Sequence, residues 1–224
     1  MTERSGLRVA NGSLEGVKWL ALVLMTGDHI NKYLFDWGLP WAFELGRLVL
    51  PLFAAVLGYN LARLAAPADC LRLLKRMLVV GLVASLPFVA LGKLAWGFYP
   101  LNIMFTLAVS VGVVSLLLGG ARWQAWVLFL VGGALVEFWW FGVAVVLASW
   151  HFSRKPGPQA FALVLASILA LSVVNQNLWA LAALPILWLA SRSDWRVPRV
   201  RHAFYAYYPA HLVALWAVSL VTSS

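Results

Sequence analysis

The sequence predicts an all-α fold: a polytopic bundle of about nine transmembrane helices with a cytoplasmic N-terminus. Composition is the first reason. Hydrophobic residues make up 63% of the 224 and charged residues only 11%, where a soluble domain carries about a quarter charged. The second is length. Apolar runs of about 15 to 20 residues recur from end to end, as membrane helices require, and the mean hydropathy is +0.86. The third is the alternation of basic residues between successive connections. No stretch is polar and long enough for a separate soluble unit, so residues 1–224 read as one domain.

In chain order the expected spans are 14–35, 41–61, 74–92, 101–118, 123–135, 138–152, 159–174, 178–191 and 203–221. The first run is too long for a signal-peptide core and leads into "GDHINK" rather than a small-residue cleavage site, so it reads as a retained span. Pro51, Pro87, Pro185 and Pro209 fall in or beside spans, where each frees a backbone carbonyl and favours a kink. Aromatic clusters such as "DWGLPW" and "EFWW" fit interfacial belts.

The segment 122–152 is long for one helix and short for two, and charge decides it. With a turn near Gly132–Glu137, one side collects Arg4, Arg8, Lys18, Arg63, Arg72, Lys75, Arg76, Arg122, Arg154, Lys155, Arg192, Arg196, Arg199 and Arg201. The other side holds Lys32 and Lys93. Such a bias marks the first side as cytoplasmic. The net charge of +9 therefore reads as topology rather than nucleic-acid binding. The single cysteine, Cys70, has no disulfide partner and no metal-ligand spacing around it. The sequence holds no nucleophile elbow, phosphate-binding loop, dinucleotide turn or metal-spaced histidine pair.

Ionisable groups inside spans are costly and point to function or to paired charges. Lys18 and His29 lie eleven positions apart in the first span, which puts them about 16 Å apart and nearly on one face. Asp28 has Lys32 one turn on as an available partner; both can equally be interfacial anchors. In the second span Glu44 and Arg47 share a face, either as a neutralising pair or as site groups. Asn102 opens the fourth span as a cap or a site amide. Glu137 and Asn175–Asn177 fall at turns on the outer side, while His211 lies in the last span one turn beyond Tyr207 and Tyr208. A histidine in a low-dielectric bundle can take a proton from an attacking amine or hydroxyl, and Arg47 can face a developing oxyanion. Acyl transfer suits these parts. A carboxylate relay for ion transport suits them less, because the acids are few and lie toward one side.

The segments "VKWLALVLMTGDHINKYLF", "LGRLVLPLFAAVLGYNLAR", "LNIMFTLA", "FWWFGV" and "FYAYYPAHLVALW", in that order, resemble the TraX family of conjugative-transfer membrane proteins. The resemblance runs from about Gly16 to Trp216. It implies acetyl-CoA-dependent acetylation of the N-terminus of a pilin subunit at the bacterial inner membrane. The first span is also similar to that of broader membrane acyltransferases, in which a basic residue precedes an intramembrane histidine by about ten positions; Lys18 stands where arginine is more usual. On this resemblance Asp28, His29, Arg47 and His211 are the expected catalytic set. Glu44, Asn102, Glu137 and Tyr208 are expected on the acceptor. Lys18, Asn60, Arg63, Arg72, Lys75 and Arg76 are expected on acetyl-CoA, the last four in a basic loop. The alternatives are a non-enzymatic membrane chaperone of a conjugation system and an acyltransferase for a glycan or small molecule. Expected partners are a pilin subunit and the bilayer, with no nucleic acid.

Overall fold

The computed structural model describes residues 6–92, 94, 96–200 and 203–222. Among them the chain is all-helical apart from two isolated bridges. It forms nine helical rods: α1 Asn11–Leu34, α2 Pro40–Ala62, α3 Pro67–Ala90, α4 Ile103–Leu118, α5 Arg122–Leu135, α6 Trp139–Arg154, α7 Pro158–Asn175, α8 Trp179–Arg192 and α9 Ala203–Thr222. α2, α3, α7 and α9 are each long and apolar enough to cross a membrane. Side chains such as Val79, Leu82, Val83 and Leu86 stand exposed along one side of α3, the inverse of a water-soluble helix. Arg4, Lys93 and Arg201 of the charge balance lie outside the described residues.

The expected spans coincide with these rods to within a few residues, except at the start of α3. That helix begins at Pro67, not near 74, because proline suits a first turn and Asp69 favours the positive end of the helix dipole. Arg72, Lys75 and Arg76 therefore ride on helix rather than in the expected loop. The segment 122–152 does form two helices. Val136 is extended, and Phe138 and Trp139 turn the chain at positive φ. This turn is pinned by Leu101, whose amide donates to the Leu135 carbonyl while its own carbonyl accepts from Glu137.

α2 is the pillar. It packs on α1, α4, α6 and α8, most extensively on α6, where a Cβ on Gly58 would run into the backbone of Trp150. α3 packs on α4 and on α9, and α9 returns to α1. The helices α1, α2, α4, α3 and α9 thus close a ring, with α5 to α8 behind α2 and α4. Residues 193–200 fold back over the start of α1: Ser13 donates to the Ser193 carbonyl at 2.6 Å, and the Trp195 amide donates to Ser13 at 3.2 Å.

Candidate functional site

The ring encloses a cavity of about 1040 Å³ that runs along α1 from Asn11 to Lys32. Its two ends are polar and its middle is apolar. At one end Lys18, Asn60, Arg63, Arg72, Arg76 and Arg199 converge. Leu22, Met25, Leu50, Phe53, Leu57 and Met77 line the middle. Asp28, His29, Lys32, Arg47, Glu137 and Tyr208 line the other end, with Trp37, Tyr99 and Trp139 at its rim.

Local backbone breaks set the second polar end. Pro51 has no amide to offer the Arg47 carbonyl, so α2 loosens there. The amides of Arg47 and Leu48 bond three residues back, to Glu44 and Leu45, and the rod resumes at Val49. Arg47 turns across to α1, where its Nη2 meets Asp28 Oδ1 at 2.9 Å with both side chains nearly buried. Its Nε donates to the Phe43 carbonyl at 3.1 Å, its plane covers the Phe43 ring, and Nη1 reaches Asn175 Oδ1 at 3.5 Å. The expected Asp28–Lys32 and Glu44–Arg47 pairs are both replaced by Asp28–Arg47. A carboxylate and a guanidinium buried together on facing helices neutralise each other more effectively than near-surface i,i+4 neighbours. Gly46 permits the approach, since a Cβ there would collide with the Asp28 carboxylate. Glu44 lies off the cavity wall.

His29 and His211 meet edge to edge, nitrogen to nitrogen. Their centroids are 5.0 Å apart with planes 10° from parallel, and His29 Nδ1 lies 2.7 Å from His211 Nε2. His211 Nδ1 lies 3.1 Å from the Tyr207 carbonyl, one turn back. Tyr207 stacks on His211 and shares a hydrogen bond with Thr26 of α1 at 2.8 Å. The last span thus brings its histidine to the first. His211 reaches the cavity only through His29, because it is not itself part of the wall. Lys32 sits over Tyr33, 5.0 Å from the ring centre, close enough for its charge to act on Asp28, His29 and Glu137.

The other expected residues separate clearly. Lys18 and His29 share the cavity face, as their spacing requires. Asn102 is off the wall: its Oδ1 caps Met104, and its Nδ2 donates to the Gly81 carbonyl and Ser85 Oγ. This spends its amide on joining α4 to α3. Lys75 is also off the wall, while Asn60, Arg63, Arg72 and Arg76 are on it. The sequence pattern singled out no role for Glu15, offered Lys32 only as a partner for Asp28 or an interfacial anchor, and marked Arg199 only for topology. Glu15 is buried against Lys18 at 2.6 Å, with Arg199 at 3.9 Å. An acid one turn from Lys18 was a readable signal for Glu15. Arg199 depends on the fold-back of residues 193–200, which no local pattern announces.

Residues 13–219 match the family described as TraX protein. The Escherichia coli protein named Protein TraX is 29% identical over 227 aligned positions, covering 93% of this chain and 88% of the relative. No solved structure matches.

Proposed function

This chain belongs to the TraX family, and from that premise we propose that it is a membrane acyltransferase that uses acetyl-CoA to acetylate the N-terminal amine of a conjugative pilin subunit. In this reading it crosses the bacterial inner membrane nine times, with its N-terminus in the cytoplasm. The observation that carries the reading is the single cavity joining a basic end to a histidine-bearing end across the ring.

The residues fit the acyl donor. Phosphate groups suit the converging Arg63, Arg72, Arg76 and Arg199, with Lys18 deeper in, all on the side that charge bias makes cytoplasmic. The apolar middle suits an uncharged arm. Acetyl-CoA, when bound, supplies an activated acetyl thioester. The chain's own groups do the rest. His29 accepts the proton that the amine gives up. Arg47, its position fixed by Asp28 and Phe43, and Lys32 beside it supply positive potential where negative charge develops. Glu137, on the wall at this end, offers its carboxyl group to an incoming ammonium, and Tyr208 walls the site from α9. Asn102 supports the scaffold in this scheme, and Glu44, off the cavity wall, takes no part in it.

Intact-mass measurement of the cognate pilin tests the proposal. Cells carrying the gene should yield pilin heavier by one acetyl group than cells lacking it; an unchanged mass overturns the reading. A second expectation concerns the basic end. Replacing Arg63, Arg72 and Arg76 by glutamine should raise the apparent KM for acetyl-CoA about tenfold or more and flatten its salt dependence, with turnover less affected. Lys75→Gln should change neither, because Lys75 is off the cavity wall.

A further inference from the structure

We propose that His211 is a positioning residue that fixes the tautomer of His29, so that His29 Nε2 is the proton-accepting atom. The Tyr207 carbonyl can only accept, so His211 Nδ1, 3.1 Å away, carries the proton of that contact. With both rings neutral, His211 Nε2 then has only a lone pair. The 2.7 Å contact to His29 Nδ1 therefore requires the proton to sit on His29 Nδ1. His29 is left with its Nε2 lone pair, and among the described residues no other hydrogen-bond partner meets that ring. His29 is only partly buried and lines the cavity, so the free nitrogen is the one available to a bound acceptor.

The near-parallel planes, with centroids 5.0 Å apart, set the two facing nitrogens in line, as an N–H···N bond requires. Two helices far apart in sequence are held at this point by Thr26 and Tyr207, one turn from each histidine. When His29 Nε2 takes a proton, the ring becomes an imidazolium whose Nδ1–H still points at the neutral His211. The existing contact becomes a charge-assisted hydrogen bond. No proton has to leave His29 for His211, and no further group has to move. His211 thus acts in the way a carboxylate or carbonyl partner acts on other working histidines, by holding one nitrogen so that the other is free.

The proposal rests on the proton-accepting role given to His29 above, but its test is independent of activity. The protein, labelled with ¹⁵N-histidine and held in detergent micelles at mildly alkaline pH, is read by long-range ¹H–¹⁵N correlation. His29→Gln and His211→Gln assign the signals. The expected wild-type pattern is a protonated Nδ1 and a bare Nε2 on both rings. His211→Leu should return His29 to a mixture of tautomers and lower turnover several-fold, in step with the fraction that keeps Nε2 bare, at unchanged KM for acetyl-CoA. His211→Gln should keep the His29 tautomer and most of the turnover, because its side-chain carbonyl can accept from His29 Nδ1–H. A bare Nδ1 on His29 in the wild type overturns the proposal, whatever the variants do. The expected tautomer in a protein that transfers no acetyl group upholds it and overturns the acyltransferase reading instead.

Discussion

On the proposed acyltransferase reading, His29→Gln should lower acetyl transfer by about 10²- to 10⁴-fold, the usual share of a general base, while membrane insertion and acetyl-CoA binding persist. Glutamine keeps much of the size of the imidazole and can still donate to His211 Nε2, so the α1–α9 contact survives. What it lacks is a basic ring nitrogen to take the proton of the acceptor. Purified protein in detergent, labelled acetyl-CoA and a pilin N-terminal peptide give the rate. Near-full turnover in His29→Gln, with turnover abolished in His211→Gln, would move the base from α1 to α9.

Asp28→Ala carries the largest expected stability cost, about 3 kcal/mol, the lower end of the range for removing one partner of a buried ion pair. The low end applies because Arg47 keeps the Phe43 carbonyl and ring when its carboxylate is gone. Most of the penalty is the unpaired charge rather than the lost attraction. Adding Arg47→Leu to Asp28→Ala should therefore recover at least half of the lost stability, while activity stays low in both variants. Chemical denaturation in micelles reads the midpoints. A double variant less stable than Asp28→Ala would mean that Arg47 stabilises α2 by some route other than pairing with α1.

The sequence made the rods legible because hydropathy and the positive-inside bias act along the chain. Even the difficult segment divided correctly once the basic residues on either side of Gly132–Glu137 were counted, and Leu135 and Trp139 now bound the turn. Lys18 and His29 were placed on one face by helical arithmetic alone, and of the two readings open for Asn102, cap or site amide, the side chain makes the cap. Pairing between helices was the illegible part. Local spacing offered Lys32 to Asp28 and Glu44 to Arg47, whereas the folded chain joins Asp28 to Arg47 through the gap that Gly46 leaves. Both errors share a cause. Periodicity reports neighbours on one helix, but burial selects partners from the helix opposite. The same limit hid Arg199, brought to Glu15 by a segment anchored on Ser13, and the His29–His211 contact, which spans almost the whole sequence.

The central claim is that one cavity lets an acyl donor on one face of the membrane serve an acceptor on the other. Sealed vesicles carrying the protein with its basic end outward test it most directly. Labelled acetyl-CoA is supplied outside and a pilin N-terminal peptide is sealed inside. The account predicts acetylated peptide within the vesicles, dependent on His29 and absent from protein-free vesicles. Acetylation that occurs only when donor and peptide share a compartment would contradict it.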